Sequence, residues 1–245
     1  MYSVIRPHLL PLAQARNATV PPPFLRAVWP GPGSGRTIPG VQTLAIQLLG
    51  RFSVAVDGVP IAGDAWRSRR GADVVKLLAL APGHRMHRAQ VMEGLWPESE
   101  PEASGTNLRK ALHFARLAIG DEQAIVNERG VLALRPDARV ETDVERFEAA
   151  AQQGLDAGDE TACRAAADLY RGDLLPDDLY DSWSVEPRTR LRRRYLDVLR
   201  AGALWDRLAE EDPTDEQAAR ALMRTHLEAG ERREAIRRFE RLREA

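Results

Sequence analysis

Hydrophobic positions recur with two different periods along this chain, and the change of period separates strands from helices. Between Thr43 and Ile61, in TLAIQLLGRFSVAVDGVPI, apolar and polar residues alternate around Gly50 and an Asp-Gly pair at 57–58. Alternation with a period of two is typical of a half-buried strand, and Asp-Gly is a favoured hairpin turn. The segment therefore predicts two or three short antiparallel strands.

Three helices and a hairpin are predicted next. In SRRGADVVKLLALAPG, residues such as Val74 and Leu78 recur at helical spacing until Pro-Gly at 82–83 stops the pattern. A second helix is predicted in HRAQVMEGLWP. The third, containing TNLRKALHFARLAIG, is expected to begin near 99–102 and to be weakened by Gly105. The segment AIVNERGVLAL predicts a strand, a turn at 128–130 and a second strand.

The third predicted helix has two distinct faces at about 100° per residue. One arc is apolar and is expected to face a core: Leu108, Ala111, Leu112, Ala115 and Ile119. The opposite arc is basic or polar and lacks carboxylates: Thr106, Arg109, His113 and Arg116, with Lys110 at its edge. Solvated helix faces usually mix charges of both signs. Taken alone, the arc is compatible either with simple solvation or with binding of a nucleic acid.

The order of the elements favours nucleic acid. A small sheet, three helices and a hairpin follow one another within residues 44–140, which is the layout of a winged helix-turn-helix domain. The basic helix occupies the place of the recognition helix in that layout. We therefore predict a winged-helix DNA-binding domain over 44–140.

Residues 141–245 show helical patterns only. The predicted helices are DVERFEAAAQQGLDAG, DETACRAAADLYRGDLL, a long segment from about Pro187 to Glu211, DEQAARALMRTHLEAG and ERREAIRRFERLREA. The last two predict a helical hairpin around Gly230 with Leu227 and Phe239 among its inward residues, an arrangement typical of tetratricopeptide-like repeats. The predicted fold class is mainly α with a small β component, a winged helix-turn-helix followed by an all-α repeat domain.

Composition adds an amino-terminal segment of a different kind. Residues 1–43 contain eight of the sixteen prolines, which predicts disorder because the segment has little to bury. Its PGPGSGRT stretch is not expected to bind phosphate, because Arg36 replaces the required lysine and Pro39 blocks the following helix. The net charge is +4 over 1–43, +2 over 44–140 and −7 over 141–245. Any nucleic acid is therefore expected to bind the first half.

Several other functions are disfavoured by the sequence. No apolar run approaches the roughly 18 residues that span a bilayer, and Cys163 has no cysteine partner, so we expect a cytoplasmic protein. His84 and His87 lack further ligands at metal-binding spacing. No nucleophile with its base, and no pair of catalytic carboxylates, is recognisable. We predict no enzymatic activity, no metal and no cofactor.

At this point the residues resemble a known family. LLGRFSVAVDGVPI, RSRRGADVVKLLALAPGHRMHRAQVMEGLWP, TNLRKALHFARLAIG, VETDVERFEAAA and YRGDLLPDDLYDSW, in this order, are similar to the antibiotic regulatory proteins of actinobacteria. That family joins an OmpR-type winged helix to a tetratricopeptide-like bacterial transcriptional activator domain. The resemblance implies a transcriptional activator that binds double-stranded DNA at direct repeats as a homodimer and recruits RNA polymerase. It also implies that the acidic loop WPESEPEASG touches the polymerase, with an ordinary linker as the alternative.

Nine residues are predicted to contact DNA. Arginine pairs with guanine and asparagine with adenine in the major groove, whereas lysine often meets a phosphate. Arg69 and Arg70 are expected at a backbone phosphate, and Arg129 in the minor groove; simple solvation is the alternative for each. The recognition-helix candidates are Thr106, Asn107, Arg109, Lys110, His113 and Arg116.

Two other functional classes remain open from the sequence. One is a repeat-based protein-interaction module whose winged helix no longer binds DNA, and the other is the amino-terminal part of a larger ATP-dependent regulator. Tyr180 and Trp183 are predicted to be core residues. The arginine-rich run at 188–194 lies among acidic neighbours and is predicted to form ion pairs within or between protomers, not to bind nucleic acid.

Overall fold

The computed structural model of this chain describes residues 43–244, and these form a single unit. The predicted disorder of 1–43 and the rejected phosphate loop therefore lie outside the described residues, apart from Thr43. None of the described helices is long and apolar enough to cross a membrane.

A four-stranded sheet opens the described part of the chain. Its strands run in the order β3-β2-β1-β7, and β7 lies parallel to β1 whereas the other neighbours are antiparallel. The Asp57-Gly58 turn has positive φ at both residues (50° and 80°), which is the geometry of a tight hairpin. The four strands are β1 (Thr43–Gln47), β2 (Ser53–Val56), β3 (Val59–Pro60) and β7 (Arg139–Thr142).

Three helices and a second sheet follow, in the order of a winged helix. The three-stranded antiparallel sheet has the order β4-β6-β5, and its β5–β6 hairpin is the wing. The predicted hairpin turn is confirmed at Arg129 and Gly130, which have φ of 51° and 84°. The elements are α1 (Arg69–Leu80), β4 (Arg85–His87), α2 (Arg88–Leu95), α3 (Pro101–Ile119), β5 (Ile125–Glu128) and β6 (Val131–Leu134).

The second half of the described chain is helical, as predicted. Close approach of the first pair of helices depends on Gly154, because a Cβ there would lie 3.0 Å from the amide nitrogen and the Sγ of Cys163. The thiol of Cys163 is buried, and burial raises its pKa. The six helices are α4 (Asp143–Ala157), α5 (Glu160–Ala167), α6 (Ser182–Ala201), α7 (Trp205–Glu211), α8 (Glu216–Glu228) and α9 (Arg232–Glu244).

Several sequence predictions are wrong in this half. The second predicted helix ends at Ala167, because the next residues form a loop in which Leu174 bridges to Leu49, two residues after β1. The segment predicted as one helix is two, since the backbone turns at Ala203 with φ of 50°. Leu227 and Phe239 are predicted to face inward but are more than half exposed, because no described element covers this side of the α8–α9 hairpin.

The sheet and the helical half share one hydrophobic core, so the two domains meet along a tight junction. Asp143, the first residue of α4, is 6% exposed. Its two carboxylate oxygens accept hydrogen bonds from the backbone N–H groups of Leu48 (2.8 Å) and Leu49 (2.9 Å). Burial raises the pKa of Asp143 to about 6, although these N–H donors act to lower it. The carboxylate therefore ties the helical half of the described chain directly to the end of β1.

Candidate DNA-binding surface

Helix α3 presents the predicted apolar and basic faces. All five residues of the predicted apolar arc are buried: Leu108, Ala111, Leu112, Ala115 and Ile119. The helix starts at Pro101, which suits a first turn because proline has no N–H to leave unpaired, and it ends at Gly120 in the left-handed conformation. The fixed register of this buried stripe leaves the opposite side of α3 facing solvent.

Four of the predicted contact residues are exposed together on that side of α3: Thr106, Arg109, Lys110 and His113. The Arg109 guanidinium donates to the Thr106 hydroxyl (Nη2–Oγ1, 2.9 Å), which in turn donates to the carbonyl of Glu102 (3.1 Å). Among the described residues, neither Arg109 nor Lys110 forms an ion pair with a carboxylate. The helix therefore offers uncompensated positive charge at its middle turns, and half-buried Asn107 stands beside them.

Arg116 lies apart from this group, although the helical period placed it on the same arc. Its Nε and Nη2 atoms both donate to the carbonyl oxygen of Ile125, at 3.0 and 2.6 Å. The side chain is half-buried and attaches the end of α3 to the first residue of β5. Arg116 thus positions the base of the wing relative to the recognition helix, and its predicted contact with DNA stays a prediction.

The wing tip is also attached to the helices. The backbone N–H of Arg88, at the start of α2, donates to the carbonyl of Gly130 at 2.8 Å. A Cβ on Gly130 would lie only 3.1 Å from Nε2 of His87, so the turn passes close to that ring. Arg129 is exposed beside this turn. The wing is therefore fastened at both ends, and Arg129 is held at a defined place relative to α3.

Arg69 and Arg70 are placed elsewhere. Arg69 pairs with Asp181 (Nη2–Oδ2, 2.6 Å), and Arg70 lies 3.3 Å from Oδ2 of Asp73. The charge of Asp181 raises the pKa of Arg69. Their predicted phosphate contact stays a prediction, but in this structure both arginines face carboxylates, Asp73 on α1 and Asp181 in the loop before α6.

Those arginines belong to a network of three cations and three carboxylates between α1 and the loop before α6. At its centre Lys76, 6% exposed, lies 3.2 Å from Oδ1 of Asp73 and 2.7 Å from Oδ2 of Asp178. Burial raises the pKa of Asp73 and outweighs the opposing effect of Lys76. We call this the junction network, composed of Arg69, Arg70, Asp73, Lys76, Asp178 and Asp181.

The sequence did not single out the junction network, nor the exposure of Tyr180. That side chain is 99% exposed, whereas a core position was predicted; its neighbours Asp178 and Asp181 turn towards α1 and leave it on the outside of the loop. Trp183 is half-buried and packs against the core, in agreement with the prediction. Hydrophobic residues show no regular period in this loop, so no sequence pattern indicated which side chains point inward.

The arginine-rich run of α6 forms intramolecular contacts, as predicted. Arg190 pairs with Glu148 (2.6 Å), and Arg192 lies 3.0 Å from Oε2 of Glu211. Arg188 donates to backbone carbonyls of the loop before α6, including that of Leu174 at 2.9 Å. These arginines therefore stabilise the packing of the helices in the second half of the described chain.

Comparison with known proteins agrees with this architecture. The family model of the bacterial transcriptional activator domain matches residues 138–245. A solved structure of Mycobacterium tuberculosis EmbR, in complex with a low-affinity phosphopeptide, superposes with a TM-score of 0.64 at 19% sequence identity. The match covers 82% of this chain and 59% of the EmbR chain, so this chain spans less than two thirds of that protein. A search of curated protein sequences found no match.

These matches confirm the predicted resemblance and the predicted fold class. The family match supports the resemblance over residues 138–245, and the EmbR superposition supports the fold over 82% of the chain. The family match begins at Ala138, one residue before β7, the strand that pairs with β1 and joins the two halves. Residues 138–245 are therefore similar to the bacterial transcriptional activator domain, and in this chain they follow a winged helix.

Proposed function

We propose that this protein is a transcriptional regulator that binds specific double-stranded DNA through α3 and the wing. The observation that carries the proposal is the group of exposed side chains on α3 whose positive charges have no carboxylate partner in the described part of the chain. Two other cations of the same domain, Arg69 and Lys76, are by contrast neutralised by aspartates. Positive charge left unpaired on an element shaped for the major groove is what phosphate and base recognition require.

Selection from random duplex DNA tests this function directly. We expect the purified chain to enrich one sequence motif, and its affinity to fall steeply with salt because each phosphate contact contributes about −0.9 to the log-log slope. Absence of both enrichment and salt dependence would instead support a protein-interaction module that has lost DNA binding.

Arg109→Ala is expected to weaken binding to the selected duplex by about 1–3 kcal/mol and to relax base preference at one position. The reason is that Arg109 is exposed at the centre of α3 and is oriented by Thr106. Fluorescence anisotropy on duplexes substituted at each position measures the effect. Arg220→Ala, which removes an exposed arginine of α8, is the matched control. Unchanged preference at every position would exclude Arg109 from base reading.

The finer parts of the proposal concern assembly and polymerase. We infer that protomers bind side by side on direct repeats and that the exposed acidic residues before and at the start of α3, Glu98, Glu100 and Glu102, contact RNA polymerase. The support is the family resemblance together with this loop's exposure. Native mass spectrometry on a duplex with two half-sites is expected to show two protomers, and transcription in vitro is expected to fall when the three glutamates are replaced by glutamine.

A further inference from the structure

Arg88, the first residue of α2, lies at the point where α2, α3 and the wing turn meet. Its backbone N–H donates to the carbonyl of Gly130 in the wing turn, 2.8 Å away. Its guanidinium lies beside Gly105 of α3, where a Cβ would be 3.5 Å from Nη2. Gly105 directly precedes Thr106 and lies one turn before Arg109. Arg88 therefore touches both the wing turn and the turn of α3 that presents the basic face.

Within the described residues, the guanidinium of Arg88 meets no counter-ion. No carboxylate pairs with it in the described part of the chain, and its Nε is buried without a hydrogen-bond acceptor. This differs from Arg69 and Arg70 in the same domain, whose charges are met by aspartates of the junction network. An arginine that is half-buried against a neighbouring helix, and that no described carboxylate meets, is suited to accept an anion from outside.

Gly105 explains how this arginine reaches its place. The residue is buried although it lies inside a helix, where glycine is otherwise unfavourable. A side chain larger than a methyl group at this position would fill the space that the guanidinium of Arg88 occupies. Gly105, which from sequence alone weakens the recognition helix, therefore makes room for a cation beside that helix.

We propose that Arg88 is a phosphate-binding residue that fixes the recognition helix and the wing on the DNA backbone; this rests on the proposed DNA-binding function. A phosphate held here would be contacted by a residue whose main chain is bonded to the wing and whose side chain lies against α3. Contacts of this kind set register and orientation, and they carry no base information. Arg88 therefore contributes to affinity for every DNA sequence, whereas Arg109 contributes to base preference.

The test compares Arg88→Gln with the unaltered chain on sheared mixed-sequence duplex DNA and on the duplex enriched by random selection. Affinity for both duplexes is expected to fall about tenfold at moderate salt, and the log-log salt slope to become shallower by about 0.9, the value of one phosphate contact. Base preference is expected to stay unchanged. Arg193→Gln, which removes an exposed arginine from α6, is the control for net charge and is expected to leave the slope as it is.

Further variants separate phosphate binding from a structural role. Arg88→Lys is expected to restore the slope, because an ammonium group also binds phosphate, whereas Arg88→Met keeps the apolar stem and is expected to behave as Arg88→Gln. Thermal denaturation of each variant shows whether the domain remains folded. A loss of affinity with an unchanged slope would overturn the proposal and assign Arg88 to structure alone. Salt-independent binding by the unaltered chain would instead overturn the proposed DNA-binding function itself.

Discussion

Lys76→Ala is expected to lower the free energy of unfolding by about 3–5 kcal/mol, the usual cost of breaking a buried ion pair by removing one partner. Lys76 lies between Asp73 and Asp178, which are 0% and 3% exposed. Without the ammonium group, both carboxylates would stay buried without their nearest cation, since Arg69 and Arg70 stand at the exposed edge of the network. Urea denaturation followed by circular dichroism measures the change.

Two further variants make this prediction specific. Lys76→Met keeps an apolar stem near the Phe52 ring, which lies 5.0 Å from the ammonium group, and so separates lost charge from lost packing. Arg220→Ala breaks an exposed pair with Glu216 and is expected to cost less than about 0.5 kcal/mol. A loss below about 1 kcal/mol for Lys76→Ala would show that the junction network does not stabilise the contact between the two halves.

Asp143 is expected to make the stability of the protein fall as pH rises from about 4 to about 6. Burial raises the pKa of Asp143 to about 6 from its ordinary value near 3.8. Between these values the folded protein holds a proton that the unfolded chain has released, so raising the pH favours unfolding. Below this window both states are protonated and above it both are ionised, so the effect is confined to it. A shift of this size corresponds to about 3 kcal/mol.

Asp143→Asn isolates this contribution, because the amide does not titrate. The free energy of unfolding of the unaltered chain, relative to that of the variant, is expected to decrease by about 2.4 kcal/mol between pH 4 and pH 7, since the unfolded carboxyl is already partly ionised at pH 4. Denaturant titrations at several pH values provide the measurement, with Glu186→Gln, which removes an exposed carboxyl group, as the control. Parallel pH profiles for Asp143→Asn and the unaltered chain would contradict a buried, titrating carboxyl at the junction.

Much of the fold was predictable because its signals are local. The buried stripe of α3, the wing hairpin with its Arg129-Gly130 turn and the α8–α9 hairpin around Gly230 all follow from periodicity and turn residues within one segment. The strand β7 was missed because it is short and its partner β1 lies far away in sequence. Pairing over that separation leaves no periodic trace in either segment.

The candidate site was predictable only in part, for a related reason. Helical spacing correctly identified the exposed face of α3 with Arg109, Lys110 and His113. It placed Arg116 on the same arc, although a long side chain can leave its arc to reach a carbonyl on β5. Arg88 went unnoticed because its importance depends on Gly105 and Gly130, two residues on other elements. Spacing along one helix carries no information about such neighbours.

By itself, the sequence determined most of the helices and the two hairpins, which face of α3 is buried and that the first half carries the basic character, because each depends on neighbouring residues. Only the tertiary structure decided how the cations are used. It pairs Arg69, Arg70 and Lys76 with aspartates of the helical half and leaves Arg88 and Arg109 without carboxylate partners in the described part of the chain. A charge is neutralised or available according to what folding brings within a few ångströms of it, and that distance is set by packing between remote segments.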